Sequence, residues 1–560
     1  MNNFTQYEPL DEYKNAYKAQ HERNVSEHFE NLVRQSAVDE AENRKTVKQI
    51  NQKKQEIAKF DKANRRKKTL RGFLIFIIVI ACIAVGYCAY KYFAENFYNN
   101  LTIGISGGSI AVIVLLLLLI FKKINPKIKS LTQILEKLNK TLNELINNAY
   151  AQLAPLFALF NRQISSRLME KTYPLIQLDD FFEIRRYDYL NRKFGLPDSN
   201  ENPDESTFFV QSGEINGNPF CFFKTLNHFM GSKTYEGTKT IYWTEYYTDA
   251  NGKRQSRSRS ETLHAYVTKP FPEYYDNTYL VYGNEAAPNL IFSRKPSFAG
   301  EYDDERKLEK KVKREIKDLE SEMRKRVKRG ENFTMMGNGE FDVLFGATDR
   351  NNETEFRLLF TPVAQREMLK LIKDKTVAWG DDFSFKKHKM VNFIAPAHLK
   401  TFDISGNPQH YTNYDIDAVR QQFNNYNNLY FKQLYFSFAP LLAIPLYQQH
   451  KPHEFIYRDV YNSNLCGYEH ECEVNRRDVS LFAHRHSVTR NILKTAVRSH
   501  DSENDNVSIS AYGFRSEQRT DYVSVFGGDG RYHNVPVNWD EYISVCNTTD
   551  FLINVEETRG

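Results

Sequence analysis

The sequence predicts an α+β protein: a transmembrane helical hairpin with flanking cytoplasmic coiled helices, followed by a cytoplasmic mixed α+β region. Three observations predict it. Two uncharged apolar runs stand near the start, a heptad-spaced leucine seam follows them, and the remainder is aromatic, β-branched and rich in turn residues.

The apolar runs are Gly72–Tyr90 and Leu101–Phe121. At ~1.5 Å per residue, each reaches across a hydrocarbon core of ~30 Å. They define spans 72–90 and 101–121 of a hairpin over residues 70–121. Arg65, Arg66, Lys67, Lys68 and Arg71 precede the first span, and Lys122, Lys123, Lys127 and Lys129 follow the second. The loop between them carries only Lys91, balanced by Glu95. Basic residues at span ends stay cytoplasmic, so the expectation is a multi-pass protein of the plasma (inner) membrane with both termini cytoplasmic. Tyr90, Tyr92, Phe93, Phe97 and Tyr98 suit the outer interface. No small-residue cleavage site follows the first span, which argues against a removable signal peptide.

Cysteine usage agrees with a reducing compartment. Of six cysteines, Cys82 and Cys88 lie in the first span, and Cys221, Cys466, Cys472 and Cys546 are too sparse for a disulfide framework. The net charge of +6 is accounted for by the juxtamembrane basic residues. These favour anionic lipid headgroups of the bilayer, and nucleic acid is disfavoured as a partner.

Residues 1–69 read as a polar, helix-compatible cytoplasmic segment. After the second span, Leu131, Leu135, Leu138, Leu142, Leu145 and Ala149 recur at heptad spacing within a juxtamembrane helix over 122–172. Two partners for this seam stay open: the pre-membrane helix of the same chain, or a homo-oligomer formed through 131–149. From residue 173 the pattern turns to strands. Asn216-Gly217 and Asn251-Gly252 each sit between strand-like runs, which is a hairpin signal. Further strands are expected at Thr278–Tyr282 and Asn289–Ser293. Leu308, Val312, Ile316, Leu319, Met323 and Val327 form the apolar stripe of a charged helix at 301–330, acidic at its start and basic at its end. Strands are expected at Phe341–Phe345 and Glu355–Phe360, a helix from Pro362 to Lys373, strands near Asp382–Phe393, and a helix over 415–436. Phe438–Tyr447 is apolar but short, so it reads as a buried segment and not as a third span. The C-terminal strands are expected near Val507–Phe514, Tyr522–Phe526 and Tyr542–Cys546. The domain reading is thus 173–400 and 401–560.

Gly213–Phe220 (GEINGNPF), Phe341–Val343 (F-x-V) and Glu355–Leu371 (EFRLLFTPVAQREMLKL) carry a resemblance. With the order of parts, they are similar to a family of uncharacterised bacterial two-span membrane proteins with a domain of unknown function. The resemblance covers about residues 70–400, and the charged helix before the F-x-V segment departs from it. It implies architecture and no chemistry.

Few motifs carry chemistry. Cys466, His470, Cys472 and His484, with His486 beyond, could surround a zinc ion, because thiolate and imidazole are its preferred ligands. Their C-x3-H-x-C-x11-H-x-H spacing is not a standard zinc pattern, and the alternative is a loop and strand with locally bonded polar residues. In a strand, His470 and Cys472 would share one face. Glu469, Glu471 and Glu473 stand beside them as acid–base candidates. Lys253, Arg254, Arg257 and Arg259 form a basic tip behind Tyr242, Trp243, Tyr246 and Tyr247, suited to anionic lipid. Asp381-Asp382 reads as a turn and Phe526–Gly530 as a hairpin turn. No catalytic residue stands out, since H-E-x-x-H and EF-hand patterns are lacking. The expectation is a membrane-tethered, cytoplasmic-facing interaction or scaffold protein without a cofactor. The alternatives are a membrane-bound metal-dependent hydrolase using zinc, and a lipid-headgroup sensor.

Overall fold

The computed structural model describes residues 7–94, 100–197, 202–248, 252–331, 333–448, 465–501 and 503–554. The inter-span residues 95–99 and Asn251 of the second hairpin turn therefore lie outside the described residues. The chain divides into two compact units. One comprises residues 25–161 and 408–426, the other 1–24, 162–407 and 427–560.

The first unit is helical. After α1 (Lys18–Ser36), the helix α2 (Glu40–Ala94) runs without a break from the polar segment through the first apolar run. Helix α3 (Asn100–Leu119) passes through a π-turn at Ile120–Ile124 into α4 (Asn125–Phe157). Two of these helices are long and apolar enough to cross a membrane. Phe73, Phe76, Ile83, Leu115 and Phe121 on them are exposed, whereas a core helix of a globular protein would bury such residues. Helices α2 and α4 run antiparallel. Ile120, Ile124 and Ile128 pack on Leu74 and Ile78 at one end. At the other, Asn43 Nδ2 donates to Ala149 O (3.4 Å) and Gln152 Nε2 to Thr46 Oγ1 (3.0 Å). The seam residues Leu131, Leu135, Leu138, Leu142 and Leu145 are half-buried, as expected when one helix covers one side. Asn43 also joins the 408–426 segment, donating to Tyr414 O and accepting from Ile416 N.

The second unit is built on an antiparallel seven-stranded sheet ordered β1-β2-β3-β4-β7-β6-β5. Its strands are β1 (Ile176–Leu178), β2 (Glu205–Ile215), β3 (Asn218–Thr248), β4 (Arg254–Gly283), β5 (Ile291–Arg294), β6 (Phe383–His388) and β7 (Val391–Pro396). Asn216 and Gly217 both adopt positive φ, which gives the tight turn that sets the β2–β3 register. Alternation along β3 serves both faces. Phe220 and Phe222 stack edge-on against Phe438, while Cys221 and Phe223 meet Tyr187, Leu190, Phe194 and Tyr468. Phe438 lies on a helix that continues through Pro440 to Leu442, so this apolar segment is buried core.

Between β5 and β6 the chain is helical, with α5 at Glu305–Lys328 capped by Asp304. The strands expected at Phe341–Phe345 and Glu355–Phe360 are instead helices, Gly339–Phe345 and Glu353–Leu359. Asn338 Oδ1 accepts from Phe341 N and Asn352 Oδ1 from Glu355 N, so two asparagine N-caps override the strand-like composition. Their aromatic residues cluster around Phe292. The helix expected from Pro362 is present to Lys373.

A three-stranded sheet, β8 (Ile492–His500), β9 (Asn504–Phe526) and β10 (Tyr532–Asn554), closes the chain in the order β10-β9-β8. The short strands expected at 507–514, 522–526 and 542–546 are pieces of two 23-residue strands. Leu493, Val507, Ile509 and Ala511 of this sheet pack with Val474 of the Gly467–Arg476 helix.

Candidate functional site: a double-hairpin arm

Strands β3 and β4 are 31 and 30 residues long, about 100 Å of extended chain at ~3.3 Å per residue. Only their inner ends belong to the seven-stranded sheet. β2 stops pairing with β3 at Asn227, and β7 meets β4 only at Leu280–Gly283. Beyond those points the two strands continue as a ribbon of their own.

The ribbon is held by the β9–β10 hairpin stacked on one face. Odd positions point inward, where Ile241, Leu263 and Ala265 meet Val535 and Val537, with Tyr235, Trp243, Val267, Val523 and Val525 around them. Gly237 is required here because a Cβ would lie 2.1 Å from Pro536 O. Lys239 Nζ donates to Asn534 O (3.2 Å), and Lys269 pairs with Asp521 (2.6 Å) beneath the Trp539 ring. The turn at Gly527–Gly530 ends alongside Trp243 and Glu261, Gly528 N donating to Glu261 Oε2 (2.6 Å). The expected turn at Phe526–Gly530 is therefore present, and it reaches only that far.

Even positions point outward. They present Thr234, Thr238, Thr240, Tyr242, Thr244 and Tyr246 on β3, and Ser256, Ser258, Ser260, Thr262 and Tyr266 on β4, all exposed. Two cross-strand threonine pairs, Thr234–Thr268 (2.9 Å) and Thr240–Thr262 (3.1 Å), tie this face together.

The basic tip lies beyond the supporting hairpin. Arg254 sits over the Tyr246 ring (4.7 Å) and Arg257 over Tyr247 (5.6 Å). Arg257 Nε and Arg259 Nε both donate to Glu245 Oε2, at 2.6 and 2.9 Å. Hydrogen bonding to Arg257 and Arg259 holds that carboxyl below its usual range. Two of the four cations expected to touch lipid thus already share one carboxylate. No sequence pattern points to Glu245, because its alignment with Arg257 depends on the hairpin register.

Two clefts flank the root of the arm. One, of about 580 Å³, is lined by Phe208, Leu226 and Val479 with the Asp276–Arg490 ion pair (3.3 Å). The other, of about 360 Å³, is walled by Tyr274, Phe514 and Tyr512 beside His228. Thr489 separates them, its hydroxyl accepting from Tyr274 Oη (3.1 Å) and Phe514 N (3.0 Å).

The proposed zinc residues fall elsewhere. Cys466–Cys472 forms the start of a helix, so His470 and Cys472, two apart, no longer share a face. Cys466 caps that helix with Glu469, and burial pushes its thiol up. His470 Nε2 donates to Asp505 (2.8 Å), which His500 also binds (2.6 Å). His484 Nδ1 accepts from His486 N (3.2 Å) in a local turn. Among the described residues, no group of three or more His, Cys, Asp or Glu side chains is placed to hold a metal ion. Of the acid–base candidates, Glu471 is fully buried, accepts from Thr207 N and pairs with Lys494; burial raises its pKa to about 7.

Asp381 and Asp382 do more than make a turn. Asp381 pairs with the fully buried Arg294. Asp382 accepts from His398 Nδ1 (2.5 Å), and His398 Nε2 lies 3.1 Å from Ser437 Oγ. These three have the order of contacts of a nucleophilic triad. Ser437 is buried, however, and its hydroxyl donates to Gln433 O (2.8 Å). The adjoining cavity of about 10 Å³ is at the threshold for a single water. The arrangement clamps β6 to the 416–442 helix and leaves a substrate no room. No signal in the sequence joins residues so far apart.

No family model, curated protein or solved structure matches this chain.

Proposed function

We propose that this chain is a membrane-tethered interaction or scaffold protein that presents the double-hairpin arm to its partner. The observation that carries the reading is the arm itself, a ribbon prolonged far beyond its sheet and braced by a second hairpin. Its surface offers exposed tyrosines and hydroxyls, and large rigid aromatic side chains supply contact area at low entropic cost. The two outward-facing apolar helices and the basic residues at their ends support insertion in the plasma (inner) membrane with both termini cytoplasmic. The half-buried seam at 131–149 leaves a second, lesser surface for self-association.

The test is crosslinking in intact membranes followed by capture through the full chain. Replacing residues 244–258 with an Asn-Gly turn keeps the braced part of the ribbon. Loss of a defined partner on that change is the expected result, and an unchanged partner set overturns the reading.

A lipid-headgroup reading of Lys253, Arg254, Arg257 and Arg259 retains support from the exposed Tyr246 beside Arg254. Salt-sensitive binding of the chain to anionic vesicles, lost in Arg254→Ala, would favour it. The zinc-hydrolase alternative finds no ligand set among the described residues.

A further inference from the structure

We infer that the free edge of β3 pairs antiparallel with the same edge of a second copy of this chain, joining two arms into one continuous sheet. This deepens the interaction reading above and rests on it.

The direction of the backbone groups follows from two prolines. In an antiparallel pair, opposed residues either exchange both backbone hydrogen bonds or turn both groups away. Pro270 and Pro272 have no amide hydrogen and stand opposite Ser232 and Met230, so these pairs are of the second kind. Every even position of β3 therefore aims its N–H and C=O at the edge away from β4. His228 agrees, since its amide donates outward to Asp204 O (2.9 Å). From Met230 to Thr248, the even positions meet no backbone partner among the described residues.

The arm's other edges carry blocks of the kind that prevent sheet extension. On β10, Pro536 removes an outward donor and Lys239 takes the Asn534 carbonyl. On β9, both groups of Phe514 are taken, by Thr489 Oγ1 and Val488 N. On β4, Pro270 and Pro272 remove donors at the root. The outer part carries Arg254, Arg257 and Arg259, so two copies of it would oppose like charges. β3 has no proline over this stretch, and its charges are mixed: Lys233, Glu236, Lys239 and Glu245.

That mixture is self-complementary. With Tyr242 on a two-fold axis, Lys239 of each copy falls opposite Glu245 of the other, and Thr240 falls opposite Thr244. Glu245 tolerates the added cation because its two arginines share one oxygen, Oε2. A two-fold arrangement closes after two copies, so the product is a dimer and not a filament.

The full chain in nanodiscs provides the test. Tyr242→Cys, with Cys82 and Cys546 changed to Ser, should form a symmetric crosslinked dimer on mild oxidation. Thr240→Pro removes an outward donor that the hairpin does not use. It should lower the dimer fraction about tenfold while circular dichroism stays as in the parent and the melting temperature falls only by the small amount that losing the Thr240–Thr262 bond costs. Lys239→Glu should weaken the dimer about three- to tenfold, and adding Glu245→Gln should recover part of the loss. If Thr240→Pro fails to fold, the charge pair decides. A monomeric mass at micromolar concentration, crosslinking indifferent to these changes, or a ladder of higher oligomers overturns the proposal. A monomer whose arm still captures another protein sinks this inference alone; indifference to shortening the arm sinks the interaction reading.

Discussion

Lys387 shows how neighbours set the chemistry of a single side chain. It is fully buried on β6, its ammonium donating to Ala286 O (3.0 Å), and burial lowers its pKa from 10.5 to about 7. The unfolded chain keeps the proton up to about pH 10, whereas the folded one releases it near 7. Between those values the unfolded state binds more protons, so stability rises with pH across the window. Below pH 7 the cost of the buried charge is fully present, on the order of 5 kcal/mol. Lys387→Met should flatten the rise in urea midpoint between pH 7 and 10. His21 behaves similarly at lower pH. It is buried between Thr172 Oγ1 and Asn427 O, and burial lowers its pKa to about 4. Stability should therefore fall as pH drops from 6.5 towards 4, and His21→Gln should remove that limb.

At the scale of elements, the arm depends on close approach at one glycine. Gly237→Ala places a methyl against the Pro536 carbonyl, which the two hairpins accommodate only by moving apart. The expected cost is about 1–3 kcal/mol. Hydrogen exchange should quicken at 234–243 and 523–537 while Phe220–Phe223 stays protected; uniform protection in the variant would show that the hairpins are not in contact there. The aromatic, β-branched run TIYWTEYYT made the outer part of this ribbon readable as strand, and the structure extends the same strand back to Asn218. The same logic failed at Phe341 and Phe356, where phenylalanines spaced four apart also fit a helix, and the caps at Asn338 and Asn352 decide. Those asparagines were legible in the sequence; their weight against aromatic composition was not.

For the whole molecule, the anchoring reading predicts a sidedness. A cytoplasm-only reporter should be active at either terminus, and a cysteine placed at Asn99 should label only from outside. Labelling from the cytoplasmic side would reverse the topology. The C-terminal residues 427–560 share a compact unit with residues 162–407, the arm being built from both. The hairpins that meet in the arm are nearly 300 positions apart in the sequence.

Local features were legible along the chain: the two apolar helices, the leucine spacing at 131–149, the charged helix, the Asn216-Gly217 hairpin and the buried segment at Phe438. Each follows from a period or a turn preference acting over a few residues. Contacts between distant segments settle that Arg257 and Arg259 share Glu245, that Asp382, His398 and Ser437 converge, and that Cys466–Cys472 begins a helix. They alone decide that one hairpin braces another. Those outcomes depend on register and on contacts between distant segments, where side chains compete for burial and partners, and no local pattern in the chain encodes which of them meet.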